Sequence, residues 1–244
     1  MKKLMIIGAN SNIGAYLANQ YYGKYDLILH FHKDTKRITD LLKQDSVKSV
    51  QYDICNYKEI SQSIERLFTD KSLYPDAVIF CATERSNDFK KLADTDVELI
   101  DRIIATNLTG LCYNLKILMP YLRQKDKASI VLFGSNVSRI GLMQGSVYAA
   151  TKSAVSNLAR SIAKEESSNN ILINVISPGP VSIDASHFSE EYRAFREDYY
   201  KKQSGLIPLS RVANYTDIYN TIDFLLFNNS YITGEEIFIT GGAL

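Results

Sequence analysis

Apolar residues along the chain gather in short runs: Leu4–Ile7, Leu27–Phe31, Ala77–Phe80, Ile130–Phe133, Ile171–Ile176 and Ile237–Ile239. The runs are continuous rather than alternating, the pattern of strands buried on both faces of a parallel sheet. The intervals between them carry helical spacing. Val97, Ile100, Ile104, Leu108, Leu111, Leu115 and Leu118 recur in steps of three and four up to Pro120, where a helix is expected to end. A second helix is predicted from about Val147 to Glu166, with Ala154, Leu158 and Ile162 along one side. Strand and helix alternate through nearly the whole chain. The expected fold is α/β, a doubly wound parallel sheet in three α/β/α layers, as a single domain over residues 1–244. One stretch breaks the alternation. Residues 182–211 are charged and aromatic and precede the last helix and strand.

Composition narrows the function classes. The 244 residues carry a net charge of +1 with no block of like charges, which argues against a nucleic-acid partner. No apolar run approaches the roughly 18 residues needed to cross a bilayer. The Leu4–Ile7 run is too short for a signal peptide, so no membrane and a cytoplasmic location are expected. Cys55, Cys81 and Cys112 show no ligand spacing with each other or with His30, His32 and His187, so no metal is expected.

The first run is followed by Gly8-Ala9-Asn10-Ser11-Asn12-Ile13-Gly14 and then by a helical stretch. A glycine turn between strand and helix lets the backbone approach a diphosphate, whose charge meets the helix N-terminus. Further on, Tyr148 and Lys152 are four residues apart, on one face of the predicted helix. Ser135 stands thirteen residues upstream, just past the run Ile130–Phe133. The pair Tyr121 and Lys125 has the same spacing but lacks these surroundings. Tyrosine ordinarily titrates near pH 10. A cation about 4–5 Å away, at an effective dielectric near 20, is worth roughly 3–4 kcal/mol, so Lys152 is expected to draw the Tyr148 hydroxyl down toward neutrality.

These segments resemble the short-chain dehydrogenase/reductase family, the single-domain members similar to 3-oxoacyl reductases. Its turn T-G-x-x-x-G-x-G is matched with Ile7 for Thr and Asn12 for the middle Gly, and Asn12 is expected to take a left-handed backbone there. The resemblance implies a Rossmann-type fold and a nicotinamide cofactor. It also implies the catalytic set Asn107, Ser135, Tyr148 and Lys152. Tyr148 would exchange the proton, Ser135 would hold the carbonyl oxygen, Lys152 would grip the ribose, and Asn107 would support a water relaying protons to Lys152. Cofactor contacts implied by the same matches are Gly8, Asn10, Ser11, Asn12, Ile13 and Gly14 at the diphosphate and Asp53 and Ile54 at the adenine. Beside the nicotinamide, Tyr148 and Lys152 are joined by the turn Pro178-Gly179-Pro180-Val181. The family's N-N-A-G reads Phe80-Cys81-Ala82-Thr83 here, and its Thr after Val181 is replaced at Ile183. Cys81 and Ala82 keep the cofactor-side position in this reading.

Cofactor choice rests on the second run. Phe31 occupies the position of the acid that would accept ribose hydroxyls, while His32, Lys33, Lys36 and Arg37 suit a 2′-phosphate, so NADP(H) is favoured over NAD(H). The expected activity is hydride transfer between that cofactor and a small carbonyl or alcohol substrate. The alternative is a catalytically silent dinucleotide-binding sensor or assembly subunit of the same fold. Lys125 and Lys127 could face an acidic carrier protein at the entrance, but the neutral Ser167-Ser168-Asn169-Asn170 weakens that reading, and other ketone or sugar-derived substrates stay open. Apolar surface on residues 97–119 and 147–166 predicts a homodimer or homotetramer. Phe188, Tyr192, Phe195 and Tyr199 fall on one helical face, and the 182–211 segment is expected to act as a substrate lid.

Overall fold

Seven parallel strands build one sheet in this computed structural model, which describes residues 1–86, 88–183 and 189–243. They are β1 (Lys3–Ile7), β2 (Asp26–Phe31), β3 (Val47–Gln51), β4 (Ala77–Phe80), β5 (Ala128–Phe133), β6 (Ile171–Pro178) and β7 (Glu236–Ile239), in the order β3-β2-β1-β4-β5-β6-β7. The unbroken apolar runs follow from burial on both faces. Along β1, Met5 and Ile7 enter one core layer while Leu4 and Ile6 enter the other. The first layer takes in Ile60 and Ile64 of α2 (Tyr57–Leu67), Leu111, Leu115 and Leu118 of α4 (Gly110–Leu122), and Val155 and Ala159 of α6 (Ser146–Glu166). The second takes Leu17 and Ala18 of α1 (Asn12–Tyr21) and Ile218 and Ile222 of α8 (Tyr215–Asp223). Each fully buried Leu or Ile contributes about 1.5–3 kcal/mol. Among the described residues, no helix is long and apolar enough to cross a membrane.

β3 is absent from the apolar runs for a physical reason. It is an edge strand in which only Val47 and Val50 turn inward, so Val-Lys-Ser-Val-Gln reads as polar. The long helix predicted after residue 97 also differs from expectation. α3 (Val97–Ile104) passes into a π-helical turn at Ala105–Thr109 before α4, and Pro120 does not end the helix, which runs to Leu122. Pro120 removes one bond to the carbonyl of Lys116, and both residues lie on the exposed side, where water can take that acceptor.

The topology also fixes where a ligand can sit. The chain winds outward from β1 to β3, then returns to β4 beside β1 and winds the other way. The crevice at the carboxyl ends of β1 and β4 is the switch point of such a sheet.

Candidate active site

The turn at that switch point is built by steric necessity. Gly8 has φ +79°, and a Cβ there would lie 2.7 Å from the Ala82 backbone nitrogen. A Cβ on Gly14 would lie 2.5 Å from the Gly8 carbonyl oxygen, so both glycines are required for β1, α1 and the β4 loop to meet. Ser11 caps α1, its side chain accepting from the Gly14 N–H at 3.1 Å. Asn12 is the first helical residue and has no positive φ. The expected left-handed backbone at Asn12 is therefore corrected: once Ser11 caps the helix, position 12 needs ordinary helical geometry, which any residue adopts. Asn10, Ser11, Asn12 and Ile13 are half-buried around the free amino end of α1, a cradle suited to a diphosphate.

His30, inside the second apolar run, holds this turn from behind. Its Nδ1 accepts from the Gly8 N–H at 3.1 Å, and its Nε2 donates to the Tyr52 carbonyl at 3.0 Å. Burial holds His30 down to about 4, so it is neutral near pH 7 and able to accept at Nδ1. Phe31, the last residue of β2, is half-buried, while His32, Lys33, Lys36 and Arg37 beyond it are exposed. Asn10 accepts from the Arg37 N–H at 2.9 Å, which pins this basic loop against the glycine turn. After β3, Asp53 accepts from the Cys55 N–H at 2.9 Å, and Ile54 is buried against Gly110.

The opposite wall is assembled by Asn107 from the π-helical turn. Its side-chain oxygen accepts from the Glu84 N–H at 2.7 Å and from the Thr83 hydroxyl at 3.1 Å. Its amide donates to the Glu84 carbonyl at 3.0 Å and to the Thr151 hydroxyl at 3.1 Å. Both lone pairs and both hydrogens are engaged. A water held by Asn107 has only the main chain to meet, and the side chain instead fastens the 83–84 loop to α6. Cys81 is buried and donates its N–H to the Ile7 carbonyl at 2.8 Å, and Ala82 follows at the edge of the crevice.

On α6, Tyr148 and Lys152 stand one turn apart, with the Lys152 ammonium 5.5 Å from the Tyr148 ring centre. Ser135, two residues past β5, donates to the Asn136 side chain at 3.4 Å and lies near enough to Tyr148 to lower its titration. Lys152 is 3 % exposed and donates to the Phe133 carbonyl at 2.8 Å. The electrostatics depart from expectation. Burial raises the Tyr148 hydroxyl above its ordinary value, opposed by Arg85 and by the nearby Ser135 hydroxyl. Lys152 itself is pushed down to about 7, by burial first and by Arg85 second. An amine that is half neutral near pH 7 has no full charge with which to draw its neighbour down.

The turn Pro178-Gly179-Pro180-Val181 abuts the same wall. The Pro178 carbonyl accepts from the Asn136 N–H at 3.0 Å, and Gly179 donates to Ile239 at 3.0 Å. Val181 bridges to Ala213, after which the chain leads to α7 (Glu190–Ser204). Of the expected aromatic stripe, Phe195 is 55 % exposed and Tyr199 is half-buried beside Arg196. Hydrogen bonds tie α7 to the preceding segment: Tyr200 accepts from the Ile183 N–H at 3.0 Å, and Arg196 donates to the Val181 carbonyl at 3.5 Å. Phe188 lies outside the described residues. Lys125 and Lys127 are not at the site. Lys125 pairs with Asp76 at 2.8 Å and Lys127 reaches the Asn229 carbonyl, both at the amino ends of β4 and β5. A parallel sheet sends residues preceding a strand to the end opposite those following it, so the entrance reading of these lysines is overturned.

Two residues were missed by sequence reasoning. His30 carried a signal, a lone polar residue in an apolar run. Arg85 carried none, because the exposed loop after β4 has no periodicity to interpret.

A family model described as enoyl-(acyl carrier protein) reductase matches residues 8–243. Senescence-associated protein 13 of Arabidopsis thaliana is 28% identical over 215 residues, covering 86% of this chain and 78% of that protein. The 3-oxoacyl-[acyl-carrier-protein] reductase FabG of Staphylococcus aureus is 25% identical over 248 residues, covering 99% and 97%. Among solved structures, ElxO with NADP bound superimposes with a TM-score of 0.87 at 22% identity, over 99% of this chain and 98% of that one. Ligand-free aldohexose dehydrogenase of Thermoplasma acidophilum gives 0.86 at 22% identity, over 99% and 93%. At these identities the structural likeness concerns the fold.

Proposed function

Because the chain belongs to the short-chain dehydrogenase/reductase family, whose members are NAD(P)-dependent reductases acting on carbonyl and alcohol groups, we propose that it moves a hydride between NADP(H) and a ketone or secondary alcohol, with Tyr148 exchanging the proton. The observation carrying this reading is the convergence of Tyr148 with Ser135 and a buried Lys152, on a wall tied together by Asn107.

Residues positioned to hold the cofactor run along the crevice. Gly8, Asn10, Ser11, Asn12, Ile13 and Gly14 would hold the diphosphate. Asp53 and Ile54 would hold the adenine, with Cys81 and Ala82 beneath. Pro178, Gly179 and Val181 would flank the nicotinamide, which would supply hydride in reduction and accept it in oxidation. The protein's own groups handle orientation and the proton. Ser135 donates to the carbonyl oxygen and sets its distance from Tyr148. Burial keeps Tyr148 a neutral phenol near pH 7, the protonation state that reduction consumes. Lys152 spends one donor on Phe133 and has others for the ribose hydroxyls.

The cofactor preference is supported by Phe31 in place of an acid and by Arg37, whose backbone Asn10 pins beside the diphosphate turn. NADPH is expected to exceed NADH in kcat/KM by tenfold or more, and an NADH preference contradicts the assignment. Closed assembly as a homodimer or homotetramer belongs to the same reading, with Val97 and Ile104 as exposed apolar residues on the α3 side. The decisive experiment is Tyr148→Phe assayed on a panel of ketones with NADPH. Cofactor binding persists while kcat falls at least about a hundredfold. Retention of more than about a tenth of wild-type turnover would remove Tyr148 from the mechanism.

A further inference from the structure

We propose that Glu236 is a positioning residue for the reaction: it sets the place of Ser135 by tying the short helix after that serine to the strand that leads into the Pro178–Val181 turn. The inference rests on the hydride-transfer reading above and adds a residue that acts through Ser135 without touching substrate.

Glu236 opens β7, an edge strand of the sheet, where an acid ordinarily faces water. Its side chain is instead 9 % exposed. It stands opposite Val175 in the β6–β7 ladder, and so on the face that also carries Ser177. One carboxylate oxygen, Oε1, accepts from the Ser138 hydroxyl at 2.7 Å and from the Ser177 hydroxyl at 2.6 Å. The other, Oε2, lies 3.6 Å from Arg160 of α6. Bonds of this length from hydroxyl to carboxylate are roughly twice as strong as those between neutral groups. A serine hydroxyl has one proton to give, so both are committed to the acid. Each partner belongs to a different part of the site. Ser138 is in α5 (Val137–Ile140), the short helix that follows Ser135. Ser177 is buried in β6, immediately before Pro178 and Gly179. Ser138 is tied to α6 as well, its carbonyl accepting at 2.7 Å from the hydroxyl of Ser153, one residue past Lys152.

The serine depends on this anchoring. The bond from its hydroxyl to the Asn136 side chain is long, at 3.4 Å, so its place is set by its backbone. That backbone is shared with α5. The Ser135 carbonyl accepts from the Ser138 N–H at 3.0 Å, and the next N–H, of Asn136, reaches the Pro178 carbonyl at 3.0 Å. A shift of Ser138 is therefore carried to Ser135 within one turn. On the other side, the chain at Gly134 is packed on Ser177 so closely that a Cβ there would lie 2.2 Å from the serine oxygen. A helix as short as α5 has no stability of its own and keeps its place only through such ties. A misplacement of about 1 Å costs about a hundredfold in rate, so loosening α5 by half as much is worth roughly tenfold.

The test is a double-mutant cycle on the full chain, with NADPH and the fastest of ethyl acetoacetate, hydroxyacetone and cyclohexanone. Ser138→Ala removes one arm of the network, leaves the acid its other partners and lowers kcat about tenfold. Glu236→Ala lowers kcat further, and Glu236→Gln, which keeps an acceptor, recovers part of the loss. The NADPH dissociation constant stays within about twofold of wild type throughout. In a Ser135→Ala background the same substitutions cost less than about twofold, because the serine that they position is gone. Full kcat in Ser138→Ala and Glu236→Ala, a loss confined to KM or to NADPH binding, or an equal loss with and without Ser135 overturns the proposal. If Glu236→Ala does not fold, the Ser138→Ala cycle decides alone. If wild type reduces none of these ketones, the hydride-transfer reading fails separately. Crystal structures of wild type and Ser138→Ala then judge the positioning by itself. Displacement of Ser135 relative to Tyr148 by about 0.5 Å or more supports it, and coincidence of the two serines overturns it.

Discussion

The helix that bears Tyr148 and the helix that follows the Pro178–Val181 turn are built in opposite ways. α6 is welded into the domain: Ala149, Thr151, Lys152, Val155, Ser156 and Ala159 are all buried, and every polar group of Asn107 beside it has a partner. α7 buries none of its described residues and is held by a few polar contacts centred on Tyr200. The Tyr200 hydroxyl accepts from the Ile183 N–H at 3.0 Å and from Arg196. Proton transfer demands distances fixed to a few tenths of an ångström, whereas admission of a substrate demands an element that opens at little cost. Burial does not follow the expected stripe, since Phe195 is exposed while Tyr199 is half-buried.

Three measurements sharpen or break that contrast. The largest effect is expected at Asn107→Ala. It leaves the Glu84 backbone without its partners, costing roughly 2–4 kcal/mol of stability and about tenfold or more in kcat/KM. Unchanged denaturant midpoints would mean that the wall is not held through this amide.

His30→Gln comes next and concerns the rigid side's other support. His30 is held down to about 4 in the folded chain against an ordinary 6.5, so the unfolded chain takes up its proton first as pH falls. The stability it supports is intact above about pH 6.5 and declines toward pH 4, by about 3 kcal/mol in total. Wild-type thermal midpoints should therefore fall more steeply than those of His30→Gln across this window. Parallel curves would contradict the neutral, turn-holding histidine.

The smallest effect is expected at Tyr200→Phe. Losing the hydroxyl costs about 1 kcal/mol, confined to local opening, so hydrogen exchange over residues 190–204 speeds up while the global melting temperature barely moves. NADPH with substrate should slow exchange there in wild type. A global loss as large as that of Asn107→Ala would make α7 structural, and absence of ligand-dependent protection would leave it a plain surface helix.

The sheet and its winding were legible because burial on both faces forces continuous apolar runs, and periodicity survives in one dimension. β3 was the exception, since an edge strand needs only Val47 and Val50 inward. The spacing of Tyr148 and Lys152 was legible for the same reason, being internal to one helix. Where charges acted was not legible. Lys125 and Lys127 read as entrance residues until the parallel sheet carried them to the far end, and Arg85 had no pattern until Asn107 brought its loop to α6. Nor could the chain by itself say that Tyr148 is pushed up rather than drawn down, because that depends on how much water the fold removes from Lys152. The sequence alone determined the elements, their order and the local pairs within a helix, all set by short-range periodicity. Tertiary structure alone decided which distant charges meet and how strongly, because electrostatic energy depends on separation and solvent exclusion, and neither exists until the chain is folded.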